Sequence, residues 1–224
     1  MTRFSLLRSE TDLDALVQEI GFLPFFRCPI AGFSIAECTP RELWFTEEEG
    51  PWEWKGAVAR RKMSVYGKFF RGKAGFVSLE WLPDFVNFRR DGYDFDARWD
   101  DELVSAREKY LYDTVAEHGA LLSMELKELC NYKKGGNKGF ETLITRLQMQ
   151  TYLIVEDFEY LLNRDGEPYG WGIARYATPE HTLGDEVVRS AYQRTPEESR
   201  RRILTHLCSI LPDTDPDVIA KLLG

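Results

Sequence analysis

The feature that most constrains this chain is a change of hydrophobic period near residue 150. From Lys138 to Gln150, apolar side chains recur at spacings of three and four residues, which is typical of an amphipathic helix. The next residues, Thr151–Val155, are β-branched and strand-like, and a second strand is predicted over Trp171–Ala177. Between the two strands, Asn163–Gly166 favours a turn. The pattern therefore predicts a helix followed directly by a β-hairpin.

Two further helices are predicted before this one, over Leu103–Glu117 and Ser123–Leu129. A polar loop, Asn131–Asn137, separates the second helix from the third. Three helices followed by a hairpin is the order of a winged helix-turn-helix domain, in which the third helix can lie in the DNA major groove beside the hairpin wing. The sequence predicts such a domain over residues 101–180.

The first 100 residues are predicted to form a smaller α/β region with its own hairpin. Helices are expected over residues 11–20, 55–63 and 82–90, and strands over 65–70 and 74–78. Residues 22–40, rich in proline, glycine and phenylalanine, indicate an ordered loop. Residues 181–224 contribute C-terminal helices over 196–210 and 215–223. The predicted fold class is α+β and mainly helical, with boundaries near residues 100 and 180.

The balance of charge weighs against avid, nonspecific nucleic-acid binding. The chain carries 29 basic and 37 acidic residues, a formal net charge of −8, whereas such binding draws its affinity from neutralising phosphates. Basic residues are nevertheless concentrated between Lys55 and Arg90, where nine of them accompany two acidic residues. Acidic segments flank this stretch at Glu42–Glu49 and Asp91–Glu102. Two interpretations stay open: a basic surface, or charges that neutralise one another in the fold.

Membrane, secretory and metal-dependent proteins are not indicated. No window approaches the ~18 continuous apolar residues of a membrane span, and the N-terminus has no apolar signal core, so a cytoplasmic protein is expected. The four cysteines form no C-x-x-C pair, and the three histidines lack metal-ligand spacing. Neither a metal nor a cofactor is expected.

Candidate nucleic-acid contacts fall on three segments. Those of the third helix and its lead-in are Lys133, Lys134, Lys138, Thr142 and Arg146, and those of the wing are Arg164 or Arg175. The N-terminal hairpin adds Lys68, Arg71 and Lys73, interleaved with Tyr66, Phe69 and Phe70 as in proteins that bind single strands or flipped bases. The alternative is a set of core aromatic residues alternating with surface cations. Acidic neighbours such as Glu141 would also repel phosphates.

Catalytic candidates are weak. Asp91, Asp94 and Asp96 follow Arg89-Arg90, and such carboxylates can activate a water, although a solvated, salt-bridged loop is the alternative. Trp44, Trp52 and Trp54 either wall a ligand pocket or pack structurally. No phosphate-binding loop or nucleophile elbow occurs. The sequence leaves open whether the chain is an enzyme.

Three further motifs are the run Leu-Ser-Met-Glu-Leu-Lys-Glu-Leu, the run beginning Lys-Gly-Phe-Glu-Thr-Leu-Ile, and Tyr-Gly-Trp-Gly-Ile-Ala-Arg-Tyr. They resemble motifs of bacterial AlkZ-like proteins. Gly-Phe-Leu-Pro-Phe-Phe, Trp-Glu-Trp-Lys and Tyr-Gly-Lys-Phe-Phe extend the resemblance over most of residues 15–180, with the AlkZ-related group as the closer match. AlkZ-like proteins are DNA glycosylases built from tandem winged helices that excise alkylated or crosslinked bases. The resemblance therefore implies winged-helix ancestry, double-stranded DNA as a partner and a link to DNA repair.

One motif of those glycosylases is missing. They carry a Gln-apolar-Gln or Gln-apolar-Asp motif in their N-terminal part, which positions a water and stabilises charge at the sugar. Here the only glutamine in residues 1–100 is Gln18, and the triplet Gln148-Met149-Gln150 ends the predicted third helix instead. Three functions therefore stay open: a DNA-binding protein, a protein-interaction module on a winged-helix scaffold, and a divergent base-excision glycosylase.

Overall fold

The computed structural model describes residues 4–45 and 50–224, so Glu47–Glu49 of the acidic flank lie outside the described residues. The helices are α1 (Glu10–Ile20), α2 (Ile35–Cys38), α3 (Pro51–Arg60), α4 (Leu82–Arg90), α5 (Phe95–Asp100), α6 (Ala106–His118), α7 (Ser123–Leu129), α8 (Phe140–Met149), α9 (Pro179–Leu183), α10 (Asp185–Val188), α11 (Pro196–Ile210) and α12 (Pro216–Leu223). The strands are β1 (Phe22–Pro24), β2 (Ser64–Phe70), β3 (Lys73–Ser78), β4 (Leu121–Leu122), β5 (Ile154–Leu162) and β6 (Pro168–Ala177). The fold class is mixed α and β.

The strands of the described residues form one antiparallel sheet in the order β1-β3-β2-β5-β6-β4. β2 pairs with β3 along most of its length, and it meets β5 through Tyr66 and Val155. β6 pairs with β5 on one side and with β4 on the other. The N-terminal and later hairpins therefore belong to one sheet that crosses residue 100, and one hydrophobic core extends from Leu7 to Leu223.

The three predicted helices and the predicted hairpin are present as α6, α7, α8 and β5–β6. The first strand, predicted over Thr151–Val155, instead covers Ile154–Leu162, because the amides of Thr151 and Tyr152 bond back to α8. The predicted apolar face of α8 is confirmed, because Phe140, Ile144 and Leu147 are buried. The short strand β4, between α6 and α7, was not predicted. It pairs with β6 at Leu121 and Tyr176, which fixes α7 beside the hairpin.

Side-chain caps explain where several helices begin. Ser105 caps α6 and Glu108 bonds back to the Ser105 amide, so both residues of a capping box are engaged. Thr195 and Glu198 form the same motif at the start of α11, and Asp215 caps α12. These spacings are local, and the predicted starts of α11 and α12 are confirmed.

The structure also contains elements that the hydrophobic pattern does not predict. β1 and α2 lie within the expected loop of residues 22–40, α5 lies in the acidic stretch, and α9 and α10 follow the hairpin. Each is six residues or shorter. Over so few residues, hydrophobic periodicity cannot distinguish a helix or strand from a loop.

A buried polar network joins α4 to the C-terminal helices. Arg90 is 2% exposed and pairs with Glu180 on α9, with 2.5 Å between Nη1 and Oε1. Asp84, also buried, accepts hydrogen bonds from Ser199 Oγ at 2.8 Å and Arg202 Nε at 3.1 Å on α11. These bonds hold α9 and α11 against α4.

Candidate nucleic-acid interface

The turn between β2 and β3 lies against α8. Arg71 and Gly72 both have left-handed backbone angles, with φ of 53° and 78°, as a two-residue hairpin turn requires. A Cβ atom on Gly72 would lie 3.3 Å from Cγ2 of Thr145, so glycine also permits a close approach. Two groups of predicted nucleic-acid contacts, one on the hairpin and one on the third helix, are thereby brought together.

Hydrogen bonds fix this arrangement. The Lys68 amide donates to Oε1 of Gln148 at 3.0 Å, and Nζ of Lys68 lies 3.1 Å from Oγ1 of Thr145. Gln148 is fully buried, and its side-chain amide also donates to the Ile144 carbonyl at 3.3 Å. The first glutamine of the Gln-Met-Gln triplet therefore links α8 to β2 instead of facing solvent.

The outer face of α8 carries both signs of charge. Thr142 and Arg146 are exposed, and Nη1 of Arg146 lies 3.2 Å from Oε1 of the buried Glu108. Glu141 is also exposed and pairs with Lys127 at 3.0 Å and with Lys68 at 3.8 Å. The carboxylate of Glu141 therefore neutralises part of the positive charge on this face.

The remaining predicted contacts differ in accessibility. Lys133, Lys134 and Lys138 are exposed in the loop between α7 and α8, where Lys133 pairs with Glu128 at 2.8 Å. Arg164 is exposed at the tip of the β5–β6 hairpin. Arg175 is half-buried: it bonds to Glu159 across the hairpin and donates to the Ala120 carbonyl at 3.0 Å. Arg175 thus ties β6 to β5 and to the segment before β4.

Most of the basic stretch from Lys55 to Arg90 is not a free basic surface. Its internal or paired cations are Lys55, Arg60, Arg61, Lys62, Lys68, Arg89 and Arg90. The acidic partners of those that form ion pairs, such as Asp157 and Glu156 on β5, come from other parts of the chain. Arg71 and Lys73 are exposed on the turn, and Nζ of Lys73 lies 3.5 Å from the Arg27 carbonyl oxygen.

The aromatic residues interleaved with these cations belong to the core. Tyr66, Phe69 and Phe70 are at most 6% exposed, so their rings are not free to stack on bases. Trp54 is likewise buried. Trp52 is half-buried, and its ring contacts those of Phe25, Phe26, Trp44 and Trp171.

Two exposed aromatic rings lie beside Trp52, and neither belongs to the residues that the sequence pattern suggested for base stacking. Phe26 is 42% exposed and Trp171 is 77% exposed. The two rings lie 6.1 Å and 5.7 Å from that of Trp52, measured between ring centroids. Neither position carries a local signal that separates it from the buried phenylalanines and tryptophans nearby in the sequence.

The three candidate catalytic aspartates lie around α5. Asp94 caps this helix by accepting a hydrogen bond from the Ala97 amide at 2.8 Å. Asp91 ends α4 with a left-handed φ of 54°, and the 84%-exposed side chain of Asp96 lies 3.4 Å from Nζ of Lys109.

In residues 4–45 and 50–224, no group of histidine, cysteine and acidic side chains has the arrangement of a metal site. The helices of the same residues lack the length and hydropathy needed to cross a bilayer.

Lys55 is a buried amine, although it begins the stretch for which a basic surface was one of the two interpretations. It is 7% exposed, donates to the Trp52 carbonyl, and its Nζ lies 4.2 Å from the ring centroid of Phe158. Burial lowers the pKa of Lys55 to about 8, because the charged form loses its hydration.

We expect Lys55 to make stability depend on alkaline pH. Between pH 8 and 10.4 the unfolded chain binds more protons at this lysine than the folded chain, so the free energy of unfolding rises by up to about 3 kcal/mol with pH. Lys55→Met removes this rise, whereas Lys62→Met, at a half-exposed position, keeps it. Urea unfolding at pH 7, 8, 9 and 10 measures the difference, and parallel profiles for wild type and Lys55→Met would contradict the expectation.

Comparison with protein-family models matches residues 7–224 to the family described as AlkZ related. The match covers nearly the whole chain, and the chain therefore belongs to this family. No curated protein and no solved structure matches it. The resemblance seen over residues 15–180 is confirmed, and it extends to the C-terminal helices.

Proposed function

We propose that this member of the AlkZ-related family is a winged-helix protein that binds double-stranded DNA through α8 and the β2–β3 turn. The order α6-β4-α7-α8-β5-β6, with β4 paired to β6, supports a winged helix with α8 as its third helix. The observation that carries the proposal is the contact of the Arg71-Gly72 turn with α8 at Thr145. This contact places exposed cations of the N-terminal region beside α8, the helix that would enter the DNA major groove.

We assign the predicted residues to distinct roles. The exposed cations contact phosphates; they are Lys133, Lys134, Lys138, Arg164, Arg71 and Lys73. Thr142 and Arg146, exposed on α8, face base edges. Lys68 and Arg175 position the elements around them through their bonds to Thr145 and Glu159.

Salt dependence tests this proposal directly. Each phosphate contact contributes about −0.9 to the slope of log affinity against log salt concentration. Fluorescence anisotropy with a labelled duplex between 25 and 200 mM salt would measure that slope, using matched DNA and DNA with an alkylated base. If neither duplex binds at the lowest salt, DNA binding is excluded and a protein partner for α8 becomes the favoured interpretation.

Removing one negative charge from α8 should strengthen DNA binding. Glu141 is 65% exposed and pairs with Lys127 and Lys68, so Glu141→Gln frees both cations and removes repulsion of phosphates. At low salt we expect affinity to rise roughly three- to tenfold. Glu197→Gln on α11 makes the same change in net charge at another exposed position. Equal gains in the two variants would mean that only net charge matters and that α8 does not face the duplex.

We do not propose base excision by Asp91, Asp94 and Asp96. Asp94 is engaged as a helix cap, and Asp91 ends a helix. A simple assay separates this alternative from DNA binding: release of free base from an alkylated duplex, repeated with all three aspartates changed to asparagine. If the protein releases the base and the triple variant does not, base excision by these aspartates would be favoured over DNA binding alone.

A further inference from the structure

A cavity of about 310 Å³ lies beside the β2–β3 turn. Its lining is largely apolar and includes Pro24, Phe26, Pro29 and Phe70. Arg71 and Lys73, from the two ends of the turn, complete this part of the wall. The cavity therefore combines apolar surface with two cations, and none of the described residues that line it is a carboxylate. The turn that supplies its cations also contacts α8.

Phe26 offers an accessible aromatic wall. Its side chain is 42% exposed, and its ring lies 5.1 Å from that of Phe25 and 6.1 Å from that of Trp52, between centroids. The interplanar angles are 63° and 54°, so neither neighbour stacks parallel on Phe26. The wall is also held in place, because the amide of the buried Phe25 donates to the Ala74 carbonyl on β3 at 2.8 Å.

This combination fits a flat aromatic ligand that carries negative charge. Apolar walls and a partly exposed aromatic ring favour a planar ring by stacking, and the arginine and lysine favour phosphate. A purely apolar ligand would leave both cations without a negatively charged partner, and inorganic phosphate would leave the apolar walls unused. A nucleotide satisfies both requirements at once.

We propose that this cavity receives one unpaired nucleobase, stacked on Phe26, with its phosphate held by Arg71 and Lys73. The inference rests on the proposed DNA binding. A duplex lying along α8 would pass the same turn, so a base that leaves the stack has the cavity next to its own backbone. Unstacking costs least at a damaged, mismatched or unpaired base, which makes such a position the expected target.

Three labelled duplexes of equal length test the proposal: one fully matched, one with a single bulged adenine, and one with an abasic bulge. The adenine bulge should bind on the order of tenfold more tightly than the abasic bulge, because only the former supplies a ring to stack. Phe26→Ala should abolish this preference, and Phe26→Tyr should retain it. Phe45→Ala is the matched control, since Phe45 is 88% exposed and does not line the cavity.

The outcomes separate this inference from the proposed function. Equal binding of the two bulged duplexes would overturn the base site and leave DNA binding intact. If no duplex binds at low salt, the proposed DNA binding is wrong. Titration with deoxyadenosine monophosphate then shows whether the cavity binds a free nucleotide. Binding of that nucleotide that is lost in Phe26→Ala would support a site for a free nucleotide, and no binding would overturn the site.

Discussion

Glu180→Ala should destabilise the protein by roughly 3–5 kcal/mol, the cost of leaving a buried charge without its partner. Arg90 is 2% exposed, its Nη2 donates to the Thr151 carbonyl at 2.8 Å, and its guanidinium lies over the ring of Tyr152. Burial by itself would lower the pKa of Arg90, but the Glu180 carboxylate outweighs this effect and raises the pKa. Arginine is effectively always protonated in proteins, so the guanidinium stays charged after the substitution even though Glu180 is gone. We expect the Tm to fall by about 10 °C.

A surface ion pair provides the control for this prediction. Lys109 and Asp113 pair at 2.7 Å on α6, where the aspartate side chain is 37% exposed. Asp113→Ala should cost about 0.5 kcal/mol or less, because solvent screens the charges and hydrates the lysine left behind. Thermal unfolding of both variants measures the contrast. Equal losses would show that burial does not set the cost of removing Glu180.

Reversing two exposed cations of the proposed DNA surface should have the largest effect on binding. Arg71→Glu on the β2–β3 turn and Lys138→Glu before α8 change no core contact, because both side chains are exposed. Each loses a phosphate contact and adds repulsion, so together they should weaken duplex binding about 100-fold at low salt. The magnitude of the salt slope should fall by about 2.

The matched control places the same charges elsewhere. Arg8→Glu before α1 and Arg201→Glu on α11 also reverse two exposed cations and leave α8 and the turn unchanged. We expect this pair to lower affinity only slightly, through net charge, and to leave the salt slope close to that of the wild type. Anisotropy titrations at several salt concentrations compare the two double variants. A similar loss in both would mean that the DNA does not lie on the turn and α8.

Local sequence patterns predicted much of the fold. α4 was predicted at its observed bounds, and the start of α11 follows from the Thr195–Glu198 capping box. The range predicted for α8, Lys138–Gln150, contains the observed helix and follows from the three- and four-residue spacing of its apolar side chains. Elements of six residues or fewer, such as α5 and α9, were not predicted, because a hydrophobic period cannot be recognised over so few positions.

The site was predictable only in part. The sequence identified Arg71, Lys73, Thr142 and Arg146 as candidates from residue type and position. It did not distinguish Arg175, which is half-buried against Glu159, from Arg164, which is exposed. Residue type alone does not reveal a partner, since the partner is set by strand pairing.

The sequence by itself determined the longer helices, the positions of the two hairpins, several helix caps and the membership of the AlkZ-related family. It could do so because periodicity, capping and turn formation depend on residues only a few positions apart. The tertiary structure alone decided that the β2–β3 turn meets α8, that Lys55 and Arg90 are buried, and that Phe26 stays exposed beside a cavity. The hydrogen bond between Lys68 and Gln148 joins residues 80 positions apart. Such contacts form only when the whole chain packs, because no local pattern specifies which distant surfaces bury one another.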